Sequence, residues 1–246
     1  LTGAAGSGKT YTLNQFIRHA RASGKSVAVT ATTGLAATHL NGTTIHAWSG
    51  IGVYDELPDR HFSGLSKQRR ETIQNADVLI IDEVSMLHDF RLDLVDATCK
   101  SVRESDAPFG GLQVVLCGDF FQLPPVNRFD SKQGTFITAS EAWSTYDFVV
   151  CYLHEQHRQK NDQDYTDILN GIRKGMLSRR QITALQNRQN VISHPFTTTT
   201  RLLTTNIDVD AINMQHLRAI DATSHTYTMV TSGAKKYVEQ LKKSCL

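Results

Sequence analysis

The chain predicts an α/β fold, a parallel sheet with helices on both faces, and three observations lead there. Short apolar runs alternate with amphipathic stretches of helical spacing. The runs end in small polar or acidic residues, at Thr30, Asp82-Glu83 and Gly118-Asp119. Near the start, Gly3-Ala4-Ala5-Gly6-Ser7-Gly8-Lys9-Thr10 has the spacing of a phosphate-binding loop running into a helix. In such a sheet, functional groups gather at the carboxyl ends of the strands.

Each element has its own signature. After the loop, Leu13, Phe16, Ile17 and Ala20 recur at helical spacing and Gly24 offers a stop. Val27-Ala28-Val29-Thr30-Ala31 reads as a short buried strand, and residues 35–40 as one or two helical turns. Residues 50–70 lack periodicity and hold Pro58, Gly64 and Arg69-Arg70, the marks of a surface excursion or small subdomain. Val78-Leu79-Ile80-Ile81 is a continuous apolar run, as in a strand covered on both faces. Residues 89–104 form an amphipathic helix through Phe90, Leu92, Leu94, Val95 and Val102, and residues 114–117 a third strand. Further on, residues 148–153 read as a strand, 162–173 and 178–187 as helices, and 201–205 as a strand entering a helix near Val209, Ile212 and Leu217. Residues 1–155 are expected to form the first domain, and 156–246 a linker with part of a second.

Composition narrows the function. The 246 residues can bury a substantial core, and 40% hydrophobic with 20% charged content is ordinary for a globular chain. A net charge of +2 gives no global basic excess, so a nucleic-acid surface must be local. Cys99, Cys117, Cys151 and Cys245 form no C-x-x-C pair, which argues against a zinc site or disulfide framework and for an intracellular protein. His154-Glu155-Gln156-His157 lacks the H-E-x-x-H spacing, so no zinc is expected there either. No apolar run reaches the roughly 20 residues that would span a bilayer, so no membrane is expected as a partner. Only Leu1 and Thr2 precede Gly3, there is no initiator Met, and the helix-like stretch 234–246 ends without a cap. A fragment of a longer protein is expected.

The loop residues Gly3, Ala4, Ala5, Gly6, Ser7, Gly8, Lys9 and Thr10 are suited to ATP for mechanical reasons. Glycines let successive N–H groups curl around phosphate. Lys9 can reach the β- and γ-phosphates, and the Thr10 hydroxyl can hold Mg²⁺. Asp82-Glu83, at the end of an apolar strand, is a Walker-B-type pair in which Asp82 serves Mg²⁺ and Glu83 is the base for the attacking water. Gln122, after the third strand, can hydrogen-bond both γ-phosphate and water, and Pro124-Pro125 stiffens the chain beyond it.

These motifs, with Thr30-Ala31-Thr32-Thr33-Gly34-Leu35-Ala36-Ala37 and Thr43-Thr44-Ile45-His46, resemble successive motifs of the PIF-family DNA helicases of superfamily 1B. The stretches 79–87, Phe109-Gly110-Gly111, 117–126 and 153–159 are similar to its Walker B, third and fourth motifs. The resemblance implies RecA-like domains, a small wedge subdomain at 50–70, and ATP-driven 5′-to-3′ movement on single-stranded and forked DNA. It also implies work in replication, repair, recombination or telomere maintenance. Arg158 is then an arginine finger, for which a guanidinium suits phosphate. The location would be cytoplasm in a bacterium or virus, nucleus or mitochondrion in a eukaryote, and the state a monomer or a pair on DNA.

Thr32, Thr33, His46 and Arg128 are the candidate DNA contacts, since hydroxyl, imidazole and guanidinium groups bind phosphates. Trp48 could stack on a base or belong to the core. Because the family's later motifs lie beyond Leu246, this stretch alone is expected to turn ATP over poorly. A RecD-type or relaxase-associated helicase and a non-catalytic nucleotide- or DNA-binding module are the alternatives. A small-molecule kinase would need an arginine-rich lid and has no use for Gln122-Leu123-Pro124-Pro125.

Overall fold

Every residue of Val78–Asp82 is buried, as a strand covered on both faces requires. It lies inside a four-stranded parallel sheet in a computed structural model describing residues 1–52, 54–58, 60–127, 129–159, 162–189, 200, 202–227 and 230–231. The strands are β1 (Thr2–Gly3), β2 (Val27–Ala31), β3 (Thr43–Thr44), β4 (Val78–Asp82), β5 (Gln113–Leu116) and β6 (Tyr152–Leu153). The order is β3-β2-β4-β5, with β1 and β6 forming a separate parallel pair. A bridge between Thr2 and Gly118, and a bond from the Leu1 nitrogen to the Leu116 carbonyl (2.8 Å), set that pair beside β5.

The helices are α1 (Lys9–Ala22), α2 (Gly34–His39), α3 (Ile45–Ser49), α4 (His61–Gly64), α5 (Lys67–Gln74), α6 (Asp89–Arg103), α7 (Glu141–Thr145), α8 (Gln163–Lys174), α9 (Arg179–Gln186) and α10 (Asn206–Arg218). Strand alternation divides the core in two. Leu79 and Ile81 of β4 join Leu92, Val95 and Cys99 of α6 on one face. Val78 and Ile80 join Leu13 and Ile17 of α1 on the other. Each such Leu or Ile contributes about 1.5–3 kcal/mol by leaving water. Residues 50–70 hold α4 and the start of α5, and are pinned to the larger core through Ile51 and Leu65.

Phe109-Gly110-Gly111 is a structural corner. Phe109 is fully buried at φ 51°, its N–H donates to Asp96 Oδ1 (2.6 Å), and a Cβ on Gly110 would lie 2.7 Å from the Cys99 carbonyl.

Two expectations differ from what is observed. The strand expected over 148–153 shrinks to Tyr152–Leu153, because Phe148 leaves the strand to pack on Trp143 and Tyr146 at 4.9 and 4.4 Å between ring centres. Residues 202–205 form no strand; Thr205 instead caps α10, its Oγ1 accepting the Asp208 N–H. Arg201, Cys245 and the stretch 234–246 lie outside the described residues.

The chain divides into two compact units, Leu1–Gln186 and Asn187–Leu246. The second contains α10, on which Ile207 and Leu217 are exposed. Among the described residues no helix is long and apolar enough to cross a membrane.

Candidate active site

The loop between β1 and α1 is shaped by what cannot fit in it. A Cβ on Gly3 would lie 2.6 Å from both the Leu153 carbonyl and Ser7 Oγ. Gly6 and Gly8 take φ of 83° and 88°, the left-handed region that side chains avoid. A Cβ on Gly6 would also meet the Gln156 carboxamide and the Arg158 side chain. Helix α1 starts at Lys9 with no side-chain cap and no acidic residue in its first turn, leaving its amide end open to an anion. Among the described residues Ser7 Oγ is buried without a hydrogen-bond partner, and Lys9 Nζ donates to the Gly3 and Ala4 carbonyls at 2.9 and 3.1 Å. A glycine cradle, an orphaned hydroxyl and an ammonium folded over the loop fit a phosphate group.

The segment after β6 grips this loop from outside. Gln156 Nε2 donates to the Ala5 carbonyl (2.5 Å) and the His157 N–H to the Gly6 carbonyl (2.9 Å). Gln156 Oε1 accepts the Arg158 N–H (2.9 Å), which sets exposed Arg158 beside Gly6.

At the end of β4, Asp82 is buried and its Oδ1 accepts the N–H of Glu83 (3.0 Å). Glu83 sits in the left-handed region at φ 55°, ψ 42°, a conformation that costs about 1–2 kcal/mol outside glycine. Thr32 holds it there: its Oγ1 donates to the Glu83 carbonyl (2.9 Å) and its N–H to the Asp82 carbonyl (3.1 Å). Burial pushes the Glu83 carboxyl above its ordinary range, and the charges of Asp82 and Asp119 push the same way, against the pull of Lys9. A carboxylate so raised, within the field of the loop lysine, suits a general base. Thr10 is the second residue of α1 and Asp82 the last of β4, and a hydroxyl and a carboxylate are oxygen donors of the kind that magnesium takes.

At the end of β5, Asp119 is 1% exposed and takes both ends of the Arg173 guanidinium at 2.7 Å. Gln122 Nε2 donates to the same carboxylate (3.0 Å). Arg173 comes from α8 and was not singled out by the sequence. The available signal is its place seven residues after buried Thr166, on the inward helix face, while Ile172 is exposed. Ala4, Ala5, Asp119, Gln122, Gln156 and Arg173 line one cavity of about 270 Å³, bringing the loop and the β5 end together.

A family model described as PIF1-like helicase matches residues 1–183. The chain belongs to the PIF1-like helicase family. It is similar to ATP-dependent DNA helicase Pif1 of Psychrobacter sp. (strain PRwf-1), 48% identical over 99% of this chain and 38% of that protein. The crystal structure of Pif1 helicase from Candida albicans matches with a TM-score of 0.82 and 31% identity, over 98% of this chain and 56% of that one. Pif1 helicase from Bacteroides, solved with ADP-AlF3 and ssDNA, matches at 0.74 and 31%, over 90% and 53%. The chain thus spans about two fifths of the Psychrobacter relative and just over half of these solved chains. The α/β expectation, parallel sheet and RecA-like likeness included, holds.

The DNA candidates of this PIF1-like chain fare unevenly. The Thr32 hydroxyl is committed to Glu83, and Thr33 Oγ1 caps α2 by accepting the Ala36 N–H. Burial, with Arg91 and His88 nearby, lowers the His46 pKa to about 4, so its ring is neutral at pH 7 and offers hydrogen bonds but no charge. Trp48 belongs to the core, 8% exposed among Ile45 and Ile51, which excludes the stacking alternative because its ring faces are covered. Arg128 lies outside the described residues. Thr33, Leu35, Glu83, Gln122 and Leu123 line an open groove of about 360 Å³ across the strand ends, with Leu35 and Leu123 exposed.

Proposed function

We propose that the protein containing this chain is an ATP-driven helicase that moves 5′ to 3′ on single-stranded DNA and opens duplex at forks, in replication, repair, recombination or telomere maintenance. The observation that carries the reading is the meeting of three charges at Glu83. The base candidate lies in the fields of Lys9 from the phosphate loop, Asp82 at its own strand end and Asp119 at the next. Gly3 to Thr10 would bind the triphosphate, with Lys9 drawn from its two carbonyls to the β- and γ-phosphates. Thr10 and Asp82 would hold magnesium, which when bound neutralises phosphate charge. Glu83 would take the proton of the attacking water, Gln122 would orient that water, and Arg158, set beside Gly6, would serve the γ-phosphate.

Single-turnover ATP hydrolysis by the complete protein, with and without single-stranded DNA, tests this. Stimulation by DNA and its loss in Lys9→Ala are expected. DNA binding should weaken as salt rises, since phosphate contacts release counterions. Hydrolysis indifferent to DNA, or tighter binding to blunt duplex than to single strand, would sink the reading.

A further inference from the structure

We propose that Arg173 is a positioning residue for ATP hydrolysis: by clamping Asp119 it fixes the Gln122 carboxamide at the phosphate end of the site. This role rests on the ATPase reading above and adds a residue from α8 to it. Asp119 receives four hydrogen bonds, the capacity of a carboxylate. Arg173 Nη2 and the Phe121 N–H reach Oδ1 at 2.7 and 3.2 Å, and Arg173 Nη1 and Gln122 Nε2 reach Oδ2 at 2.7 and 3.0 Å. A carboxylate held by a two-pronged guanidinium cannot rotate without breaking both bonds. The guanidinium is itself held over the Phe121 ring at 4.2 Å. Pinning Nε2 of Gln122 also decides which way its amide faces. The carbonyl oxygen becomes the end free to accept a hydrogen bond from water, the orientation a water-positioning glutamine needs. Arg173, Gln122 and the loop residues Ala4 and Ala5 line the same cavity, which places the clamped carboxamide beside the phosphate loop.

The test compares the complete protein with R173Q, R173K, Q122A and R173Q/Q122A, measuring ATP affinity and turnover at saturating single-stranded DNA. R173Q should lower kcat about tenfold to a hundredfold, below the full loss of a direct transition-state donor, with the Kd for ATP changed by less than about twofold. R173K should lose less, since an ammonium keeps the charge pair but not the fork. R173Q/Q122A should be no slower than Q122A, because both substitutions remove one device. Multiplying losses in the double variant, or a fall in affinity matching the fall in kcat, would overturn the role. If circular dichroism shows R173Q unfolded, R173K with and without Q122A makes the same comparison. An unsubstituted protein without DNA-stimulated turnover overturns the ATPase reading and this role together, whereas defects confined to the variants bear on Arg173 alone.

Discussion

Glu83 and Asp119 stand at the ends of neighbouring strands, and the fold treats their charges in opposite ways. Among the described residues no hydrogen bond or ion pair holds the Glu83 carboxylate, and burial with two like charges raises its pKa. Burial pushes Asp119 the same way, yet hydrogen bonds from Arg173, Gln122 and the Phe121 N–H outweigh it and hold that carboxyl below its ordinary value. Of the two acids, only half-buried Glu83 is left without a partner among the described residues. The paired one becomes an anchor from which its neighbours are aimed.

Substitution should separate the two acids most sharply. Glu83→Gln keeps the shape and removes the proton acceptor, so ATP should still bind while hydrolysis falls by about 10²–10⁴. Single-turnover kinetics beside an affinity measurement checks this, and equal losses in both would erase the distinction. Asp119→Ala leaves the half-buried guanidinium of Arg173 without its carboxylate and should cost about 1–3 kcal/mol of stability in denaturant melts. Glu83→Gln in the same melts should be neutral or stabilising, because it removes a charge the fold disfavours.

Acid should divide them again, less steeply. A raised pKa keeps Glu83 protonated to higher pH, so turnover is lost as pH falls through a value above the ordinary glutamate range of about 4.3. The Asp119 pair, with its depressed pKa, contributes stability above the unfolded value and loses it only as pH falls through the lower folded one. Activity should therefore fade while melting curves still show a folded protein; coincident loss would contradict the contrast. The smallest expected effect belongs to His46. With a folded pKa near 4, it binds fewer protons than the unfolded chain between about 6.5 and 4, so stability declines as pH falls through that window. His46→Gln should flatten that decline, and an unchanged slope would remove His46 from it.

Elements written in local pattern were legible in the sequence. Val27–Ala31 and the helix over residues 89–104 were readable because an apolar run or a helical stripe states its own burial. The phosphate loop was legible because its glycines answer a backbone need, met at Gly6 and Gly8. Distant pairing was not. Arg173 finds Asp119 across 54 residues, and a helix pattern cannot announce such a partner. Phe148 looked like a strand residue until the rings of Trp143 and Tyr146 drew it away. Trp48 could have faced either way until Ile45 and Ile51 placed it inside.

The grip on the phosphate loop from behind also sets a timetable. Ala5 and Gln156, joined in the finished fold, are 151 residues apart, and Thr2 waits for Tyr152. On a ribosome adding about 5–20 residues per second, the loop therefore emerges roughly 8–30 seconds before the segment that braces it. The strands β2, β4 and β5 can meet in that interval, since none needs residues past 116. On the function proposed above, a nascent chain can thus assemble its sheet before the brace of its phosphate loop has been made, and stabilisation by a bound nucleotide would favour chains whose synthesis has passed His157.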